Sequence, residues 1–403
     1  MHTQQNPDSL SRPLAHLSSS LNRIPCPLHH IHLMGICGTG MASLAGMLKE
    51  LGYRVAGSDQ NVYPPMSDFL RGLSIPVREG YGAGNLSSRP DLVIVGNVIT
   101  RENPEAVELS RLAIPYLSLP QALGHFAFGD RKSVVVCGTH GKTTTSALAA
   151  WVLERGGMDP GFMIGGIPLD FNANFKLGKG PYFVIEGDEY DTAFFDKGPK
   201  FLHYRPWFTI LTGIEFDHAD IYRDIAHVRE SFRRLIALIP PGGRLIANGD
   251  DPIVRAEAQR AACPVTFYAL ENPASWKAWG ILQEQGMTRL EVSGETGERV
   301  IIETPLYGRH NVSNLLSVVA LAHYLGIDPS NLAEALRSFR GVRRRQEIRG
   351  EKRGVLVLDD FAHHPTAVRE TLRAVWERYP GRRLVAVFEP RSNSSRRNVF
   401  QEA

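Results

Sequence analysis

Residues 133–137 (Ser-Val-Val-Val-Cys) run without a break into Gly138-Thr139-His140-Gly141-Lys142-Thr143-Thr144, and an Ala-rich stretch of helical spacing continues to about residue 155. An apolar strand that feeds a helix through a glycine-rich turn is the opening of a βα unit, and such a strand must be covered on both faces. That calls for a parallel sheet in an α/β fold. The turn also carries a chemistry. Its backbone N–H groups gather at a helix N-terminus, where phosphates bind, and Lys142 sits where an ammonium reaches β- and γ-oxygens. Thr143 stands at the position of a hydroxyl beside Mg²⁺. The general phosphate-loop pattern is not met at its first glycine, five residues before Gly141, where Val136 stands, and a plain strand–turn–helix link is the alternative.

Two further strand-like runs end in acidic residues. Residues 182–185 lead into Glu186-Gly187-Asp188-Glu189-Tyr190-Asp191, and residues 209–211 lead towards Glu215-Phe216-Asp217-His218-Ala219-Asp220. Ligands of open α/β sheets gather at the carboxyl ends of strands, and hard oxygen donors there suit Mg²⁺. Taken singly, each run reads equally well as a solvated acidic loop. The three strand ends together are more informative than any one.

Nearer the N-terminus, residues 30–34 form an apolar strand that enters Gly35-Ile36-Cys37-Gly38-Thr39-Gly40, followed by residues 41–51 with helical spacing and a strand at 53–56. Asp59 follows Gly40 at about the distance at which an acid meets a ribose in dinucleotide folds. A nicotinamide-dependent dehydrogenase is therefore one alternative. Cys37 in place of the fingerprint's middle glycine, and the separate lysine-bearing loop, argue against it, leaving a diphosphate-binding turn or a plain tight turn. Strands at 91–95 and 114–117 and a helix at 120–126 complete a small parallel unit. Residues 265–302 alternate like strands and turns, 311–325 and 366–379 read as helices, and 355–358 and 384–388 as strands.

At 403 residues, the chain exceeds what one core usually serves. The division expected is a disordered polar extension at 1–29, an α/β domain at 30–127, a central domain at 128–340 and a third, partial domain at 341–403. With 45 basic and 42 acidic residues, nothing suggests a nucleic-acid or membrane partner. Four cysteines without paired spacing, and no leader or spanning segment, fit a cytoplasmic protein.

Three more motifs bear polar groups. Gly308-Arg309-His310-Asn311, with Asn314, opens a helix, facing a base or capping the helix. Arg343, Arg344 and Arg345 are either a solvated linker face or bring one guanidinium to a phosphate. Asp359-Asp360-Phe361-Ala362-His363-His364-Pro365 ends a strand, and its adjacent histidines are not read as a metal site because sequence neighbours rarely converge on one ion.

In this order the motifs resemble the Mur ligases over residues 30–393. The stretches at 57–67, 186–197 and 216–221, and Glu389-Pro390-Arg391-Ser392-Asn393, are similar to the branch that recycles a murein tripeptide. The resemblance implies a three-domain α/β architecture with a Rossmann-like UDP-sugar domain, a central P-loop ATPase domain and a C-terminal Rossmann-like domain. It implies ATP-dependent joining of L-alanyl-γ-D-glutamyl-meso-diaminopimelate to UDP-N-acetylmuramate through an acyl phosphate, by a monomer or weak homo-oligomer. The L-alanine-adding branch is the alternative. By the same resemblance, Gly35 to Met41 and Asp59 hold the UDP sugar, with Arg391 and Asn393 also on the substrate side. Gly138 to Thr144 hold the ATP phosphates, Lys142 among them. Thr143, Glu186 and His218 hold Mg²⁺, Asn311 lies against adenine, Arg345 reaches the γ-phosphate and Asp360 holds the ribose. Many family members bridge their metals with a carbamylated lysine; no lysine lies between Lys200 and Lys277, as in the L-alanine branch. The family's third domain runs on beyond 384–388, so the sequence reads as short at its C-terminus. On that reading a fragment that binds nucleotide with weak or absent ligase activity is a further alternative.

Overall fold

The computed structural model describes residues 13–390 except 296 and 298. The chain forms two compact units, one of Met1–Phe126 with Asp191–Gly198 and the other of Ala127–Tyr190 with Pro199–Ala403.

The first unit is built on strands β1 (His30–Met34), β2 (Arg54–Asp59), β3 (Val77–Glu79), β4 (Leu92–Val95) and β5 (Tyr116–Ser118), all parallel, in the order β3-β2-β1-β4-β5. Helices α1 (Thr39–Glu50), α2 (Met66–Gly72), α3 (Pro104–Leu112) and α4 (Leu119–Leu123) connect them. All four residues of β4 are buried, as a strand covered on both faces requires. The strand order reverses beside β1, so the crevice at its carboxyl end is where Gly35 begins its turn.

Residues 13–29 do not form the disordered extension expected from their composition. Ala15 is buried with Met34, Val93 and Leu109, its N–H donates to the Arg101 carbonyl at 2.8 Å, and the Asn22 amide donates to Tyr116 O and Gln121 Oε1, both at 3.0 Å. These hydrogen bonds act together with Ala15, Leu17 and Leu21, which pack on the apolar core of the first unit.

The second unit carries a ten-stranded sheet. Its strands are β6 (Lys132–Cys137), β7 (Gly161–Met163), β8 (Phe175–Lys176) and β9 (Tyr182–Gly187). A hairpin of β10 (Asp191–Ala193) and β11 (Asp196–Pro199) follows, most of which clusters with the first unit, where Phe195 packs edge-on to Tyr116 at 4.8 Å. The sheet continues with β12 (Pro206–Leu211), β13 (Arg244–Asn248), β14 (Val265–Ala269), β15 (Trp276–Glu284), β16 (Met287–Ser293) and β17 (Arg299–Thr304), in the order β17-β16-β15-β14-β13-β12-β6-β9-β7-β8. The seven strands from β15 to β7 are parallel, with antiparallel strands at both edges. Helix α5 (Lys142–Arg155) is buried on nearly every side between this sheet and α8 (Arg309–Tyr324) and α9 (Pro329–Ser338); α6 (Ile225–Ala237) and α7 (Pro252–Ala258) complete the unit. That burial explains the absence of a polar stripe along α5.

An antiparallel pair, β18 (Glu347–Lys352) and β19 (Val355–Asp359), leads to α10 (Pro365–Arg378). The strand expected at 384–388 does not form. Among the described residues they pair with no strand, and Val387 is 95% exposed; a β-former without a neighbouring strand has no ladder to join.

Candidate active site

Register explains why the three acidic or glycine-rich loops of the second unit converge. Strands β9, β6 and β12 are adjacent and parallel, pairing Cys137 with Gly187 on one side and with Leu211 on the other. Their carboxyl ends therefore open side by side.

The loop after β6 depends on two left-handed glycines. Gly138 has φ +125° and Gly141 φ +80°. A Cβ at Gly138 would lie 2.3 Å from Thr212 Oγ1, and one at Gly141 2.4 Å from Asn314 Oδ1, so no side chain fits either position. Thr139 is held from the neighbouring strand end, its N–H donating to Gly213 O at 2.9 Å while its hydroxyl accepts from Glu215 N at 2.8 Å.

Two polar clusters flank the first turn of α5. In one, Lys142 Nζ donates to both oxygens of Glu189 at 3.0 Å and to Gly138 O at 2.7 Å, and His218 Nε2 lies 3.2 Å from Glu189 Oε1. Burial works against the Lys142 ammonium, but the negative charges of Glu189 and Asp188 outweigh it and hold its pKa above the ordinary lysine value. His218 is likewise raised: burial is the largest single influence and lowers it, but the bond to Glu189 together with the charges of Glu189 and Asp217 outweighs it. Glu189 is lowered: burial again opposes the charge most strongly, and Lys142 and His218 together overcome it. His218 adopts a left-handed φ of +54°, which turns its ring towards Glu189 and edge-on to Tyr190 at 4.7 Å.

In the other cluster, Thr143 Oγ1 donates to Glu186 Oε2 at 3.2 Å, Arg345 Nη2 donates to Thr143 Oγ1 at 3.1 Å, and Gly165 N donates to Glu186 Oε1 at 2.7 Å. Burial raises the Glu186 carboxyl, opposed by these donors and by Arg345 and Lys142. A threonine hydroxyl and a carboxylate held together at a phosphate loop are a hard donor set that suits Mg²⁺. Of the three consecutive arginines only Arg345 joins this cluster; Arg343 donates to Asn172 Oδ1 at 2.8 Å, and Arg344 is half exposed beside Asp359.

A cavity of about 550 Å³ opens next to these groups, lined among others by His140, Gly141, Thr143, Thr144, Asn311, Arg345 and Asp360. Asn311 does not cap its helix. Gly308 is the N-cap, without a side-chain bond, and the Asn311 amide donates to Tyr307 O at 2.9 Å and Gln346 Oε1 at 3.2 Å. Asp360 accepts from Gln346 N at 2.8 Å and Ala362 N at 2.7 Å.

In the first unit, Gly35 (φ +82°) and Ile36 donate their N–H groups to Ser58 O, and Asp59 accepts from Cys37 N at 2.8 Å and Asn61 N at 2.9 Å. Gly38 is the N-cap of α1, which begins with Thr39 and Gly40. Ile36 and Met41 are buried, so they offer this loop backbone only. The Cys37 thiol is pushed up to about 11 by burial and by the charge of Asp59. Behind the loop, Glu105 is fully buried and accepts from Ser58 Oγ and Asn85 Nδ2, each at 2.7 Å, with His32 Nε2 also 2.7 Å away. Arg391 and Asn393 lie outside the described residues.

Glu189 and Glu105 escaped the sequence reading. Glu189 sat unmarked among four carboxylates, and its partners lie 47 and 29 residues away. Glu105 follows Asn103-Pro104, which reads as an ordinary helix start, and nothing local signals its burial.

Family models match in series: "Mur ligase family, catalytic domain" over residues 30–131, "Mur ligase middle domain" over 136–322, and "Mur ligase, glutamate ligase domain" over 344–403. The UDP-N-acetylmuramate–L-alanyl-γ-D-glutamyl-meso-2,6-diaminoheptandioate ligase of Escherichia coli K12 is 44% identical over 92% of this chain and 81% of its own length. The chain belongs to the Mur ligase family. Among other Mur ligases, the UDP-N-acetylmuramate–L-alanine ligase of Endomicrobium trichonymphae is 35% identical over 93% of this chain and 81% of its own. A murein peptide ligase of Psychrobacter arcticus, solved by crystallography, superposes with a TM-score of 0.78 at 37% identity, covering 91% of this chain and 79% of that one. The three-domain Mur ligase architecture with α/β sheets accounts for the sheets described above. Among the described residues, no helix is long and apolar enough to cross a membrane.

Proposed function

We propose that the chain is an ATP-dependent ligase that joins L-alanyl-γ-D-glutamyl-meso-diaminopimelate to UDP-N-acetylmuramate in the recycling of murein, working in the cytoplasm as a monomer or weak homo-oligomer without nucleic-acid or membrane partners. The observation that carries this reading is the meeting of Thr143, Glu186 and Arg345 beside a glycine loop whose Lys142 is held charged. Higher identity to the E. coli tripeptide ligase than to the L-alanine ligase supports the choice of amine.

In this reading the loop from Gly35 to Met41, braced by Asp59, takes the diphosphate of the UDP sugar, and Arg391 and Asn393 serve the substrate side. The loop from Gly138 to Thr144 takes the ATP phosphates, with Asn311 at the base and Asp360 at the ribose. Mg²⁺ fits the donors of Thr143 and Glu186, with His218 serving a second ion, and would neutralise phosphate charge. The muramate carboxylate attacks the γ-phosphorus, an O–P bond forms and ADP leaves. The peptide amine then attacks the acyl carbon, the C–N bond forms, the C–O bond breaks and phosphate leaves as the amine loses its proton. Two anions must approach for the first step. Lys142 and Arg345 offset that repulsion from fixed positions and so without reorganisation.

The test is phosphate release from ATP in the presence of UDP-N-acetylmuramate, with the tripeptide or L-alanine as amine, on this chain and on Lys142→Ala. Release that requires the tripeptide and disappears in the variant is expected. A preference for L-alanine would move the chain to the other branch, and no release with either amine would overturn the proposal.

A further inference from the structure

His140, Glu215 and His364 come from three separate segments, the loop after β6, the loop after β12 and the residue that caps α10. Their ligand atoms nevertheless lie within 4.8 Å of one another. His140 Nε2 is 3.6 Å and His364 Nδ1 3.7 Å from the same oxygen, Glu215 Oε2. In a tetrahedral site with nitrogen and oxygen ligands about 2.0–2.1 Å from the ion, ligand atoms stand about 3.3 Å apart. The three groups are within a few tenths of an ångström of that spacing on both sides of the carboxylate.

Protonation also suits ligation. His364 Nε2 faces the Phe216 carbonyl at 3.2 Å, and a carbonyl can only accept, so that nitrogen carries the proton. The lone pair is thereby left on Nδ1, the atom that faces Glu215. A second-shell carbonyl fixing the tautomer in this way is the usual arrangement of a metal-bound histidine. The competing use of Nδ1 is its bond from Thr366 N, which at 3.3 Å is long. His140 Nε2 is shut off from solvent with no hydrogen-bond partner among the described residues. Thr366 Oγ1 donates to Glu215 Oε2 at 2.7 Å and orients the carboxylate.

We propose that His140, Glu215 and His364 form a binding site for a borderline divalent cation of the Zn²⁺, Co²⁺ and Ni²⁺ class, separate from the oxygen-rich pair of Thr143 and Glu186. Two imidazoles and one carboxylate select such ions over Mg²⁺, which prefers oxygen ligands in an octahedron. His140 and Thr366 both line the cavity, which leaves a coordination position open to water or a phosphate oxygen. The bound ion ties the phosphate loop to the start of α10. This site stands whether or not the chain is a ligase.

The test is titration of the full chain with Co²⁺ in millimolar Mg²⁺ without nucleotide, followed by the visible d–d absorption. The expected result is one equivalent bound with a low-coordinate spectrum that Zn²⁺ displaces and Mg²⁺ does not. Affinity should fall at least about tenfold in His364→Ala and in Glu215→Gln, which keeps the size of the side chain and its Thr366 bond, and should be unchanged in His218→Ala. Circular dichroism of each variant separates ligand loss from unfolding. No absorption band, a band lost in His218→Ala, or one that persists in a folded Glu215→Gln chain would overturn the proposal.

Discussion

The two glycine-rich loops solve the same geometric problem with different materials. After β1, Gly35, Ile36 and Cys37 direct their N–H groups to Ser58 O and Asp59, and residues 35–41 contain no charged side chain. After β6, the loop ends in a lysine fixed by Glu189 and continues to a threonine that touches Glu186 and Arg345. On the proposed function, the first arrangement serves an anion that is bound and released unchanged. The second gathers buried charges of both signs at a cost in desolvation, and on the same proposal they offset charge as it develops.

Removing the ammonium gives the largest contrast. Lys142→Ala should lower ATP-dependent phosphate release by roughly 10²–10³-fold or more, while calorimetry shows UDP-sugar binding unchanged; equal loss of both would erase the distinction. Next is Glu189→Gln, which strips a buried ammonium of its partner and should cost roughly 3 kcal/mol of unfolding free energy in denaturant titration. Because the folded carboxyl is held below its ordinary range, its contribution is complete above that range and is lost as pH falls through the depressed folded value. The gap between wild type and variant should therefore close in acid, and a gap that widened would contradict the pairing.

In the first loop the effects are smaller. Asp59→Asn replaces a charged acceptor of two backbone N–H groups and should weaken UDP-sugar binding about tenfold, leaving nucleotide binding by the second loop unaffected. Alkylation offers the mildest probe. With its thiol at about 11, Cys37 should react with iodoacetamide at pH 8 far more slowly than the exposed Cys26, which peptide mass spectrometry would show. Rapid labelling of Cys37 would mean that the loop opens.

Much of this contrast was legible in sequence because it rests on local chemistry. The strand at 133–137, the two glycines and Lys142 define their own conformation, and residues 30–34 match β1 end for end. What was not legible depends on partners distant along the chain. Glu189 and Glu105 take their roles from register and burial. Residues 384–388 have strand-like composition but no neighbouring strand among the described residues. The hairpin at 191–199 interrupts the central stretch and clusters largely with the first unit through Phe194 and Phe195. The adjacent histidines were dismissed as a pair, whereas His364 alone turns to meet His140 and Glu215.

The most direct test of the charge-bearing site is isotopic. UDP-N-acetylmuramate labelled with oxygen-18 in its lactyl carboxylate would be turned over with ATP and the tripeptide, and the released phosphate analysed by mass spectrometry. Attack of the carboxylate on the γ-phosphorus predicts that each phosphate carries one oxygen atom from the sugar acid. Phosphate free of label would contradict the acyl-phosphate route and with it the role assigned to Lys142 and Arg345.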